Sequence, residues 1–480
     1  MPRRPMHMTG ADGAALRVAL RELRTKLDVP VEFPAEVLAE AGRAAREPRL
    51  PEADATDIPF FTIGPPSCAD RDRAVHLAKR PAGGFRVHCA IADVAAFVTP
   101  GGPLDAEAHR RATTLCFPDG EVPLHPPVLS RDAAGLLPGR TRPALLWVLD
   151  LDAEGRVETT DVRRALVRSR AELDYDGAQK AIDTGTAEEP LALLKDIGLL
   201  REALEAERGG ISLNVPEQEI AEHGGSYTLA YRAPLPAHGW NAQVSLMTGI
   251  AAADLMLAAG TGILRTLPTA PDGAVGRLRR AAKALRIDWP HHVPYAGLVR
   301  SLDPHRPAHA AFLQECTALL RGAGYTVFTG GAAPDPALHA AVAAPYAHCT
   351  APLRRLVDRY AGELCLAAVA GAEPPRWAVA ALDSLPEEMA GGGRLANTAE
   401  RECVDLVGAA LLKDRVGEVF EAMVIDVDDR EPKIGTVHLT DPAVVGRIVS
   451  ASRELPLGEH LRVLLAEADP GTAKALFAPA

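Results

Sequence analysis

A chain of 480 residues, 47% hydrophobic and 24% charged, carries enough apolar material for one large domain with smaller appendages, which excludes a disordered scaffold. Its formal net charge of −11 excludes a generally basic nucleic-acid coat but leaves room for a local basic channel, because steering depends on where charge sits. No unbroken run of about 18 or more apolar residues, the length of a membrane span, occurs, and "MPRRPMHMTG" lacks the apolar core of a secretory leader. The seven cysteines include no C-x-x-C pair, so neither a zinc knuckle nor a disulfide framework is indicated. A cytoplasmic chain with reduced thiols and no membrane contact is the expectation.

Residues 11–46 alternate Ala, Leu, Arg and Glu at helical spacing, and Pro30 and Pro34 divide them into two short helices. From about Phe60 to Asp152, apolar runs such as "FRVHCAIADVAAFV" and "RPALLWVLDL" alternate with Gly and Pro clusters, the pattern of a β-rich core. Helical spacing returns in "EEPLALLKDIGLLREALEAE" and persists through "AQVSLMTGIAAADLMLAAG", "APLRRLVDRYAGELCLAAVAG" and "LANTAERECVDLVGAALLKDRVG". Sheet first and helices after predict an α+β domain. The Pro/Gly-rich stretch from Phe328 to His339 reads as a surface loop. Beyond Lys413, short strands punctuated by "DDREP", "DP" and "LPLG" fit a small Greek-key barrel of the OB type, a shape that serves single-strand binding or simply caps the domain. The predicted organisation is a helical lead-in over 1–56, a catalytic-sized domain over 57–414 and an OB-like β-barrel over 415–480.

Two segments gather arginines: "VRRALVRSR" (Val162 to Arg170) and "PLRRLVDRY" (Pro352 to Tyr360). The stretch "TIGPPSCADRDRAVHL" places Asp70 and Asp72 two apart. In an extended segment that spacing projects both carboxylates to one side, where they could share a magnesium ion with a phosphate. A solvated acidic turn balanced by Arg71 and Arg73 is the competing reading.

Longer motifs weigh on that choice. "HCAIADVAAFV", "FPDGEVPLHPPVLSRDAAGLLPG" and "YAHCTAPLRRLVDRY" follow one another in order and resemble the ribonuclease II (RNB) family over roughly Asp57 to Asp414. The resemblance implies an RNB-type catalytic domain and a 3′-5′ exoribonuclease. Such an enzyme hydrolyses single-stranded RNA to nucleoside monophosphates with magnesium, manganese being an alternative ion, and the resemblance implies no obligate protein partner. Mapped onto this chain, Asp70 and Asp72 take the two alternate aspartates of the metal motif. Arg354 takes the phosphate-holding arginine, with Arg355 beside it, and Glu400 in "AERECVDL" takes an acid near the active centre. Tyr175 in "ELDYDG" matches an aromatic that caps the RNA channel.

The chain departs from the family at both ends of the metal motif. Gly64 stands where the family has an aspartate before "PP", and Arg73 stands where it has Asp or Gln. Each lost carboxylate removes an oxygen ligand, and a fixed cation repels a dication. Arg73 could instead pair with Asp72, or grip a phosphate directly. Cys116 replaces the tyrosine often found before "FPDG", and around "NAQVSLMTG" Asn241 and Gln243 remain as polar contacts for RNA. The alternative function is therefore an RNA-binding protein of the same fold with little or no hydrolysis. His76, His88 and His348 read as packed side chains and not as a metal triad.

Overall fold

The computed structural model of the chain describes residues 6–9, 14–64, 71–223, 226–320, 322–331, 334–428, 430–439, 442, 444–469 and 474–480. A short strand, β1 (Met6–Thr9), precedes helices α1 (Ala14–Lys26) and α2 (Ala35–Arg46). Pro34 immediately precedes α2, where a fixed φ and a missing N–H cost a helix nothing. The strand was not legible as such, because it pairs in parallel with a segment two hundred residues later.

The predicted β-rich stretch supplies β2 (Phe60–Ile63), β3 (Arg73–Lys79) and β4 (Phe85–Ala92). After α3 (Pro103–Arg111) and the hairpin β5 (Leu115–Phe117) with β6 (Gly120–Val122) come the long strands β7 (Thr141–Leu151) and β8 (Val157–Leu173). Strands β2, β3, β4, β7 and β8 close into a barrel, in which β2 runs parallel to β8 and every other pairing is antiparallel. Side chains of alternate parity feed two cores. Val75, Leu77, Val87, Cys89, Ile91, Leu145 and Trp147 join one; Phe60 and the small residues Ala74, Ala90, Ala92, Ala144 and Ala165 join the other.

Helices α4 (Tyr175–Asp183) and α5 (Glu189–Glu207) follow, then the hairpin β9 (Glu217–His223) and β10 (Ser226–Arg232), and then α6 (Pro236–Ala259). Long and apolar enough to suit a membrane by composition, α6 is here the central helix, its Trp240, Val244, Met247 and Ala251 packed in the first core. A Cβ on Gly198 of α5 would lie 2.4 Å from the Trp240 Cβ, so glycine is what lets these two helices approach. Strand β11 (Gly262–Thr266) leads to a satellite helical layer, α7 (Asp272–Ala284), α8 (Tyr295–Ser301) and α9 (Pro307–Cys316), with its own core. Strand β12 (Gly324–Phe328) pairs with β11, and the predicted surface loop, part of which lies outside the described residues, joins it to β13 (Leu338–His339), which pairs with β14 (Ala344–Pro345).

Three helices end the domain: α10 (Leu356–Ala370), α11 (Arg376–Ala381) and α12 (Leu385–Leu412). Beyond them β15 (Val419–Val427), β16 (Ile434–Leu439), β17 (Val445–Val449), β18 (His460–Asp469) and β19 (Lys474–Pro479) form a second closed barrel. Its core includes Leu412 from the end of α12, so this barrel is seated on the catalytic-sized domain through that helix. The α+β class and the terminal OB-like barrel are as predicted.

Candidate active site

Asp72 is held just ahead of β3 by its backbone: its carbonyl accepts from the Ala92 N–H at 2.8 Å, and that of Arg71 accepts from Leu136 at 2.9 Å. Its side chain is only 6% exposed. One carboxylate oxygen, Oδ1, accepts from the Leu353 backbone N–H at 2.7 Å, and Oδ2 accepts from Arg354 Nε at 3.1 Å. Burial raises the Asp72 pKa, opposed by the Arg354 charge and the Leu353 N–H. Both oxygens are committed to donors of the chain itself. The expected pairing of Asp72 with Arg73 is corrected: consecutive residues of an extended chain point to opposite sides, and the partner is Arg354.

The second half of the site lies in a turn. The expectation that "TAPLRRLVDRY" is helical from Pro352 is corrected, because α10 begins at Leu356. The Arg354 carbonyl is taken by Thr114 N and Thr113 Oγ1, each at 3.0 Å, so it cannot serve a helix. The Arg354 side chain is 53% exposed, and among the described residues its guanidinium has no partner besides Asp72. Arg355 donates Nε and Nη2 to the two oxygens of Asp358 at 2.9 and 2.7 Å, and Asp358 also accepts from the Ala351 N–H at 2.6 Å. Arg355 thus locks the start of α10, with its fork already spent.

Arg73 reaches the opposite way. Its two terminal nitrogens donate to the Asn241 carbonyl at 3.3 Å each, and also to the side chains of Asn241 and Ser245. Asn241 Nδ2 passes the network on to the Tyr175 hydroxyl at 2.7 Å, and the Tyr175 ring stacks on His238 at 3.6 Å. Asn241 and Gln243 are therefore not left over for RNA, a correction: both are buried, and Gln243 donates to Glu205 at 2.6 Å. Ser245 and His238 close this network, and His238 carried no signal in the sequence beyond its helical spacing from Asn241.

Glu400 is half-buried on α12 beside Cys403. The thiol of Cys403 is pushed up to about 12, chiefly by burial. α12 approaches the arginine turn at Gly392, whose Cβ position is 3.4 Å from Thr113 Cγ2, and Glu400 is about two helical turns further on. Asp70 lies outside the described residues. Of the basic segment 162–170, Arg164 is structural: its Nε donates to Asp93 of "AIADV" at 2.8 Å and its Nη2 to Glu363 of α10. His76 and His88 face each other across β3 and β4 with rings 5.7 Å apart, and burial brings the His88 pKa down to about 4. His348 is buried and bonds the Tyr325 hydroxyl at 2.8 Å. These histidines are neutral packing residues, as predicted.

Among the described residues, Asp72 is the one carboxylate of the motif that could serve a magnesium ion, with Asp70 outside them. The described residues contain no group of three His, Cys, Asp or Glu side chains placed to hold a metal. The one described carboxylate of the motif is tied to an arginine, Gly64 offers no ligand, and Arg73 brings a cation. What the arrangement can do is present a half-exposed guanidinium, backed by a buried carboxylate, to a phosphate.

A closed barrel built into an α+β domain and a second closed barrel set on its last helix frame this site. The RNB domain matches residues 52–370, and the RNase II-type exonuclease C-terminal S1 domain matches residues 418–480; the chain belongs to the RNB family. It is 25% identical over 434 residues to ribonuclease R of Aquifex aeolicus, covering 85% of this chain and spanning 60% of that relative's length. The structure of Mycoplasma genitalium RNase R in complex with ribose methylated single-stranded RNA superposes with a TM-score of 0.81 at 18% identity, over 97% of this chain and 78% of that one. Yeast Ssd1, a pseudonuclease, superposes with a TM-score of 0.68 at 15% identity, over 94% of this chain and 58% of that one.

Proposed function

We propose that this chain holds the 3′ end of single-stranded RNA and that its magnesium-dependent hydrolysis is strongly attenuated. The observation that carries this reading is the Asp72–Arg354 contact, in which the carboxylate that would serve a metal is neutralised by the arginine that would serve the phosphate. RNA binding is supported by membership of the RNB family, by the C-terminal S1 barrel, and by the M. genitalium relative solved with single-stranded RNA. Ssd1 is an instance of the same fold in a pseudonuclease. Phosphate contact falls to Arg354, whose head is the exposed one of the arginine pair.

A second reading, an active exoribonuclease releasing nucleoside monophosphates, is favoured by the likeness to ribonuclease R and by the presence of both Asp72 and Arg354 in the chain. End-labelled single-stranded RNA incubated with the purified chain in magnesium, in manganese and in chelator separates the two. Retardation on a gel in chelator with no mononucleotide released in either metal supports the first reading. Metal-dependent mononucleotide release at rates of ordinary exonucleases overturns it.

A further inference from the structure

At the end of the first barrel away from Asp72, an open cleft of about 700 Å3 lies between the start of β8, the last turns of α5 and the middle of α6. The strands of this barrel place it about 20 Å from Asp72. Its base holds two arginines. Arg201 is 6% exposed and donates Nη1 to the Gly155 carbonyl at 3.0 Å, but its buried Nε has no partner. Arg208, at the C-terminus of α5, donates Nε to the Val342 carbonyl at 2.9 Å, and its buried Nη2 has no partner.

Among the described residues no carboxylate is in ion-pair contact with either guanidinium. Glu205, the acid within electrostatic reach of both, has spent one oxygen on Ser212 at 3.0 Å and Gln243 at 2.6 Å. The two cations also act on each other: burial, and then the Arg208 charge, lower the Arg201 pKa to about 10. At the rim, Arg156 is neutralised by Glu207 at 3.5 Å and Glu158 by Arg80. What remains is two guanidiniums that share one buried carboxylate, Glu205, in a cleft that Asp254 of α6 also lines.

The geometry points to a site for a small phosphate monoester, with the phosphate on Arg201 and Arg208 and sugar hydroxyls toward Asp254. Two neighbouring buried cations served by one shared carboxylate are costly, and a phosphate supplies the paired acceptors that a guanidinium fork matches. A further carboxylate in the same cleft suits a ligand that carries hydroxyl donors as well as negative charge, and the volume suits a molecule of mononucleotide size. This site stands apart from the RNA reading, since it shares no residue with the Asp72 centre.

The test is equilibrium dialysis of the full chain with AMP, ribose 5-phosphate, inorganic phosphate and adenosine, repeated with saturating single-stranded RNA. Saturable one-to-one binding of both monoesters at about 1 mM or below, with none for adenosine, is expected. RNA should not displace the monoester. Arg208→Gln should weaken AMP binding at least about tenfold. Should circular dichroism show that variant unfolded, Arg208→Lys keeps the charge, loses the planar fork and is expected to show the same direction of effect. The inference is overturned if no monoester binds, if adenosine binds as well as AMP, if RNA displaces AMP stoichiometrically, or if a folded Arg208 variant binds AMP like the natural chain.

Discussion

Restoring the missing ligand and removing the cation, Gly64→Asp with Arg73→Gln, should convert this centre into one that responds to magnesium. The position accepts the change: an added Cβ at Gly64 meets no atom within 4 Å, and the bond from Gly64 N to the Leu173 carbonyl at 3.1 Å involves backbone alone. Arg73 is costlier, because its guanidinium ties β3 to Asn241 and Ser245 of α6. Hydrogen bonds to a charged group contribute about 1.5–3 kcal/mol. Arg73 is half-buried, so a loss of about 1–2 kcal/mol is expected once solvent screening is allowed for. Clustered carboxylates then make the metal-free variant less stable still. Magnesium at about a hundred times its Kd returns about 2.7 kcal/mol, which in a chain of this size moves Tm by on the order of 3 °C. The assay is thermal unfolding across a magnesium titration, run in parallel with release of mononucleotide from end-labelled RNA, on the natural chain, both single variants and the double variant. The natural chain should show a flat Tm, each single variant little, and the double variant a rise that exceeds the sum of the singles, because one ion serves both positions. A double variant that folds and binds RNA, yet shows neither a magnesium-dependent Tm nor added release, refutes the account of Gly64 and Arg73 as the lesion.

Arg354→Ala should abolish any residual hydrolysis while weakening RNA binding only a few-fold, since a transition-state contact bears on rate more than on ground-state affinity; an unchanged rate removes Arg354 from the site. Asp72 has its pKa raised above 3.8, first by burial, so the folded state holds the proton more tightly than the unfolded one. The stabilisation from that proton is complete below pH 3.8 and is lost as pH rises through the folded pKa. Urea midpoints of the natural chain against Asp72→Asn should diverge to the natural chain's disadvantage as pH climbs from that value, and a divergence of the opposite sign contradicts the assignment. Gly198→Ala forces a methyl to 2.4 Å from Trp240 Cβ and should cost about 1–3 kcal/mol, read as a lower urea midpoint; no change would mean that α5 and α6 part freely. Truncation after Arg415 should weaken RNA binding and flatten its salt dependence, with circular dichroism confirming that the remainder is folded; equal binding by a folded truncated chain across a salt titration contradicts a role for the second barrel.

Contiguous signals were legible. Pro30 and Pro34 mark the gap between α1 and α2, and the closely spaced breakers after Lys413 mark the terminal barrel. The three RNB motifs were readable because each is a single run of chain. What escaped depends on partners far apart. Arg73 and Asn241 are 168 positions apart, so nothing local foretold that the arginine's fork would be taken from within. The start of α10 was misread because the helical spacing of "PLRRLVDRY" continues back to Pro352, while the hydrogen bonds that stop the helix there come from Thr113 and Thr114. Helical periodicity reports which face is apolar, and it is blind to a carbonyl captured by another strand.

The parallel seam between β2 and β8 sets an order of assembly. Thr62 and Ala171 lie 109 positions apart, so β2 has nothing to close against until every other strand of that barrel has been synthesised and paired. Closing so long a loop is an entropic toll collected before its contacts repay it. The segment that bears Asp72 joins β2 to β3, and its carboxylate then waits for Leu353, 281 positions on. A nascent chain therefore carries an open β2 edge until β8 has emerged, 109 positions on, and an unmet acid until Leu353 has, 281 positions on. Those are surfaces on which a stalled or truncated product would aggregate, and which a chaperone would meet first.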